Sequence, residues 1–219
     1  MTPTDVDHFY REVARVALTV ADKYGFVLGG GVAWVVSGLV RRPTEDIDLF
    51  SDTDGAAAAA ADGVRAALVA AGFEVEDEEV ETELGDLFYG FDLDQKEFLV
   101  SDGERTVRLS LCRLDRHNSP VVMDIGPVMS IEDLVATKAA ALVNRREVRD
   151  YIDVAAALER YSVDELLDLA HRQDPGLEPT DILEAGRFLD RLHDNRFTYY
   201  GLSADEIASL RRQLAAWPR

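Results

Sequence analysis

Leu28-Gly29-Gly30-Gly31-Val32-Ala33 and, 15 residues after Gly31, Asp46-Ile47-Asp48-Leu49-Phe50 are the stretches on which the reading of this chain turns. The second alternates with period two, the pattern of a strand with one buried face. Asp46 and Asp48 then share a face while Ile47 and Leu49 turn into a core. Adjacent carboxylates repel unless a cation neutralises them, and hard oxygen donors suit Mg²⁺. The first stretch joins a short apolar piece, Phe26-Val27-Leu28, to a short buried helix over Val32–Ser37 that Gly38 closes. Glycines there let the backbone approach a phosphate, although an ordinary turn uses the same residues.

Working outward, Val6, Phe9, Val13, Val16, Ala17 and Val20 recur at helical spacing behind a capping Asp5. Ala56–Ala71 reads as an alanine-rich helix stopped by Gly72, and Asp52-Thr53-Asp54-Gly55 as a turn, because the remaining ligands of a calcium loop are missing. Phe73–Val75, Phe88–Leu93, Glu97–Val100, Val107–Cys112 and Val121–Ile125 are expected strands. From Ser130 onward the pattern turns helical, with helices expected at about 131–144, 147–160, 163–172, 180–193 and 204–216, and with Ser162 and Ser203 as caps. Strands first and helices after predict an α+β fold. The expected division is a sheet domain over residues 1–128 and a helical C-terminal domain over 129–219.

The formal charge is −19 over 219 residues, which repels nucleic acid at long range. Glu74–Glu97 holds 11 acids against one base, whereas Glu104–Asp150 holds 8 bases against 7 acids. A phosphate-rich partner must therefore use a local basic patch: Arg41 and Arg42, the arginines from Arg105 to Arg116, or Lys138 with Arg145, Arg146 and Arg149. No apolar run approaches the roughly 18 residues of a membrane span, and no signal peptide is read at the start. With Cys112 as the single cysteine, a reducing, cytoplasmic setting is expected.

Three further groups complete the candidate chemistry. Asp124, within Val121-Val122-Met123-Asp124-Ile125, is a carboxylate in an apolar strand and needs a partner, which a neighbouring strand carrying Asp46 and Asp48 would supply through a shared metal. Lys138 sits among small alanines and is read as a long cation able to reach a site. Asp150 and Asp153, three apart, share a helix face. Thr44 precedes Asp46 by two residues, so an extended chain puts its hydroxyl beside the same cleft.

Taken together, these strings resemble the polymerase-beta-like nucleotidyltransferase superfamily, and within it the AbiEii/MenT toxin branch. The resemblance rests on Gly30-Gly31 with Asp46 and Asp48, on Asp124, on Lys138-Ala139-Ala140-Ala141 and on Arg149-Asp150-Tyr151-Ile152-Asp153, spanning about residues 26–153. One departure is Gly31, where the superfamily usually carries serine, so a hydroxyl contact to phosphate is replaced by backbone N–H groups. The resemblance implies a nucleotidyltransferase-type mixed sheet with flanking helices and transfer of NMP from an NTP, CTP or another pyrimidine, to a tRNA 3′ end. Two Mg²⁺ ions would be held by Asp46, Asp48 and Asp124, with Asp124 also taking the acceptor's proton. Gly30, Gly31, Arg42, Thr44 and Lys138 would bind the nucleotide, and Asp150 would belong to the catalytic set. A cognate antitoxin is implied, and a kinase-like one would silence the enzyme by phosphorylating Thr44. Two other readings stay open: a small-molecule nucleotidyltransferase acting on aminoglycoside- or lincosamide-type antibiotics, and a non-catalytic antitoxin or binding module on the same fold.

Overall fold

In a computed structural model that describes residues 6–78 and 94–219, the chain folds into two compact units. The first contains the described residues up to Val36 and those within Thr44–Ser130. Its helix α1 (His8–Ala21) starts at Asp7, whose carboxylate accepts from the Phe9 N–H at 2.8 Å. The expected cap, Asp5, lies outside the described residues. Phe9, Val13, Ala14, Ala17, Leu18 and Ala21 form the buried stripe of α1. After a 3-10 turn come β1 (Val27–Leu28), α2 (Gly30–Val36), β2 (Asp46–Ser51) and α3 (Ala56–Ala70). Asp52–Gly55 is the turn into α3, with Gly55 at φ 70.

The remaining strands are β3 (Glu74–Glu78), β4 (Gln95–Ser101), β5 (Thr106–Arg113), β6 (Val121–Met123) and β7 (Gly126–Val128). Phe88–Leu93 lies outside the described residues. The described strands form one mixed sheet in the order β3-β4-β5-β2-β1-β7-β6. Here β2 lies between antiparallel β1 and parallel β5, while β1 also pairs parallel to β7. Ile47, Leu49, Phe98, Leu109 and Leu111 are buried, and the Arg65 guanidinium of α3 lies 5.4 Å from the Phe98 ring centre. That face is therefore covered by helix, and the alternate residues of β2, β5 and β4 point the other way.

The second unit contains Ser37–Pro43 and Ile131–Arg219. Its helices are α4 (Ile131–Arg145), α5 (Val148–Ala157), α6 (Val163–Gln173), α7 (Pro179–Arg191), α8 (Asn195–Thr198) and α9 (Ala204–Gln213). Ser162 and Ser203 both close capping boxes, with Glu165 and Glu206 returning the bond to the cap N–H. Pro179 opens α7 at its first position, where its missing N–H costs nothing. The Tyr151 hydroxyl donates to the Ala185 carbonyl at 2.6 Å, and Trp217 Nε1 donates to Ile182 at 3.1 Å, so the buried aromatics also satisfy their polar ends. The fold is α+β, a mixed sheet with flanking helices followed by a helical region. Among the described residues no helix is long and apolar enough to cross a membrane.

Candidate active site

Strand β2 alternates half-buried and buried residues over its whole length, with Ile47 and Leu49 fully enclosed. Asp46, Asp48 and Phe50 therefore stand on the face away from α3. The glycine turn is fitted to that face. The Gly29 N–H donates to the Asp48 carbonyl at 2.8 Å, which leaves it unable to serve a ligand. A Cβ at Gly29 would lie 2.3 Å from Phe50 Cδ2, and one at Gly30 would lie 1.8 Å from Asp48 Oδ2. Gly30 also has φ 56, in the left-handed region. The Asp48 carboxylate thus occupies the space where any other residue at position 30 would put its side chain. Gly31 is buried in the first turn of α2.

Strand register supplies the neighbours. Asp46 is opposite Arg108 and Asp48 opposite Ser110 on β5; Ser110 is in turn opposite Glu97 on β4, and Glu97 opposite Glu78 on β3. Arg108 reaches Glu78 twice, at 2.6 and 2.8 Å, and Glu97 at 3.7 Å. The Glu78 bond raises the Arg108 pKa against a smaller opposing effect of desolvation, and the charges of Glu97 and Asp46 add to the rise. Burial, with the charges of Asp48 and Glu97, pushes the Cys112 thiol up to about 12. Burial and then the charges of Asp7, Asp46 and Glu45 raise the Tyr10 hydroxyl. The sequence reading misses Ser110 and Glu97 as members of this face, and takes Arg108 only as part of the basic stretch from Arg105 to Arg116. The alternation of Arg108, Ser110 and Cys112 with Val107, Leu109 and Leu111 is the signal for the β5 members.

Asp124 is not part of this face. The segment Val121–Ile125, read as one strand, is the hairpin β6–β7, and Asp124 sits in its turn before Gly126 at φ 124. Two strands, β1 and β7, separate β6 from β2. The Asp124 side chain is 77% exposed and pairs with Arg11 at 2.5 Å. Its partner in this structure is Arg11 on α1. Thr44 precedes β2 and is half-buried, so the strand's alternation does not set its direction.

The other candidates gather within the helical unit. Arg42 is 8% exposed and clamps Asp153 with Nε at 2.7 Å and Nη2 at 2.6 Å. Lys138 is 7% exposed, with Nζ 3.2 Å from both Asp150 Oδ1 and Asp153 Oδ2. Arg145 closes on Asp150 at 2.8 and 2.9 Å. Arg42 and Lys138, read as cations at large, are instead enclosed with their counter-ions, because a buried charge needs a bonded partner. Burial alone would lift the Asp150 pKa, but the Arg145 bond and the Lys138 charge prevail and hold it below the usual carboxylate range.

Basic residues elsewhere are similarly answered. Arg105 pairs with Asp102 and Asp7, Arg113 with Asp54 and Asp115, and Arg116 with Asp52. Among the described residues no three His, Cys, Asp or Glu side chains gather closely enough to hold a metal ion. The β2 pair still fits a hard divalent ion, which takes one or two protein carboxylates and completes its shell with substrate phosphates and water.

Comparison with known proteins gives a consistent result. The family model for the nucleotidyl transferase AbiEii toxin of type IV toxin–antitoxin systems matches residues 13–213. Among solved structures, JHP933 from Helicobacter pylori superposes with a TM-score of 0.60 at 16% identity, covering 96% of this chain and 92% of that one. MenT4, a nucleotidyltransferase toxin from Mycobacterium tuberculosis, gives 0.53 at 12% identity, covering 96% and 93%. At such identities these two show the shared fold. No curated protein matches significantly.

Proposed function

Because the chain belongs to the AbiEii nucleotidyltransferase toxin family, and is therefore a nucleotidyltransferase with an NTP substrate and a cognate antitoxin, we propose that it transfers NMP to the 3′ end of a tRNA and so blocks translation. The observation that carries the reading is the seating of Asp48 over Gly30, beside Asp46 on the same strand face. Asp46 and Asp48 would hold two Mg²⁺ ions, whose chemistry when bound is to polarise the triphosphate and lower the pKa of the acceptor hydroxyl. The Gly30 and Gly31 turn brings backbone close to the phosphates. In the reaction the acceptor oxygen bonds to the α-phosphorus, the bond to the β-phosphate oxygen breaks, and pyrophosphate leaves. With Asp124 in the β6–β7 turn, the acceptor's proton falls to a β2 carboxylate. Arg108, opposite Asp46, adds a positive charge beside that carboxylate. Pyrimidine NTPs are the proposed donors, and these substrates put the reaction in the cytoplasm.

Incubation with each labelled NTP and total RNA tests the reading. Label is expected on tRNA with CTP or UTP, and its loss in Asp46→Asn and on chelation. The acidic surface, at −19, favours a second acceptor class, cationic aminoglycosides. Transfer to these and none to RNA would replace the tRNA reading.

A further inference from the structure

The helical unit contains a cavity of about 570 Å³ at the α4–α5 junction, against α7 and α8. Its lining combines aromatic rings with guanidinium groups. Tyr199 is 77% exposed and meets Tyr200 edge to face at 5.3 Å between ring centres. Phe188 lies at the same cavity with its ring stacked on Tyr151. So exposed an aromatic ring adds little to a core and offers a bare face to a planar ligand.

Arg146 and Arg196 also line the cavity. Arg146 is the only non-glycine residue with positive φ, at 57°, among the described residues. Its Nε is buried with no hydrogen-bond acceptor, and its Nη2 reaches Asp181 only at 3.4 Å. Arg196 has no ion-pair partner among the described residues. This sets the two apart from Arg42, Arg105, Arg108 and Arg113, each closed on a carboxylate. A strained backbone position carrying an unanswered donor is the kind of site that a ligand satisfies.

We propose that this cavity binds one nucleotide of a single-stranded RNA, the base stacked on the tyrosines and the phosphodiester held by Arg146 and Arg196. Its size falls in the range of small-ligand pockets, about 300–1,000 Å³. Aromatic rings interleaved with cations are how single strands are held without sequence preference. Charge selects a phosphodiester over a free NTP. Glu147 also lines the cavity but is bonded to Arg149 at 2.7 Å, and Arg146 is shared with Asp181 at 3.4 Å. Among the described lining residues Arg196 therefore brings the one unshared charge, a balance suited to a single negative charge and not to a triphosphate. The choice of RNA as the polymer rests on the proposed tRNA acceptor.

The test measures binding of a fluorescein-labelled single-stranded RNA hexamer by anisotropy without NTP or metal, so that turnover does not enter. Wild-type protein, Tyr199→Ala and Arg196→Glu are compared; both sites are exposed, and circular dichroism confirms their folding. Each substitution is expected to weaken RNA binding at least tenfold, in line with the loss of one stacked base, while NTP binding stays as in wild type. Absence of RNA binding by wild type, or equal binding by all three, overturns the proposal. Loss of NTP binding with RNA binding intact reassigns the cavity to the free nucleotide and also overturns it. If the variants lose RNA binding but wild type transfers only to small molecules, the cavity assignment stands and the acceptor reading fails.

Discussion

Gly30 is where backbone geometry and the candidate carboxylates meet. A methyl there has 1.8 Å to Asp48 Oδ2 and must accept φ 56, so Gly30→Ala displaces the carboxylate. We expect it to lose transfer at least a hundredfold and to lower Tm. Gly38 is the control: it has φ 68 but nothing within 4 Å of an added Cβ, so Gly38→Ala should cost only backbone strain, about 1–2 kcal/mol, with turnover kept. Asp46→Asn and Asp48→Asn should each reduce turnover at least about a hundredfold with unchanged denaturation midpoints. Retained turnover in the double variant would remove β2 from the chemistry. Thr44→Glu tests the silencing idea: activity equal to wild type would place the hydroxyl away from the cleft, whereas Thr44→Ser should be tolerated. The Asp46/Asp48 pair is legible in the sequence because period-two alternation is a local signal. The fit of Gly30 to Asp48 is not, because it joins residues 18 positions apart that only the β1–β2 pairing brings together.

The elements show the same limit. The helices from α4 onward are legible from spacing and caps, and α6 and α9 carry the capping boxes that Ser162 and Ser203 announce. Asp124 misleads because an apolar run before Gly126 reads as one strand, whereas the chain reverses there into a hairpin. For Arg42 and Lys138 the charge is visible in the sequence and the counter-ions are not; Asp153 lies 111 residues after Arg42. The helix pair α4–α5 therefore depends on charges it has enclosed. Lys138→Ala leaves Asp150 and Asp153 buried beside a lost cation, and should cost about 3–5 kcal/mol by urea denaturation, far more than a surface lysine would. Asp150 adds a pH dependence. Its pKa is lower folded than unfolded, so its stabilisation is complete above the unfolded value of about 3.9 and fades as pH falls through the depressed folded one. Acid titration should show that loss in wild type, and Asp150→Asn should be less stable at neutral pH with a flatter acid limb.

Across the whole molecule, the net charge of −19 is set against a surface on which many arginines are already paired. RNA capture through Arg146 and Arg196 then involves few phosphates. With about 0.7 counterions released per phosphate on a single strand, the one phosphodiester held there should make the logarithm of affinity fall with the logarithm of salt at a slope of about −0.7. A slope several times steeper would call for a broad basic footprint. The sheet order has a further effect, on timing. Strand β2 finds its parallel neighbour β5 only at Thr106–Arg113, and β1 waits for β7 at Gly126–Val128. Such distant pairings form late in folding. A ribosome making this protein must therefore have passed residue 113 before the aspartate strand is braced on both sides, and residue 128 before its neighbour β1 is, so the growing chain stays harmless to its maker for about half of its own synthesis.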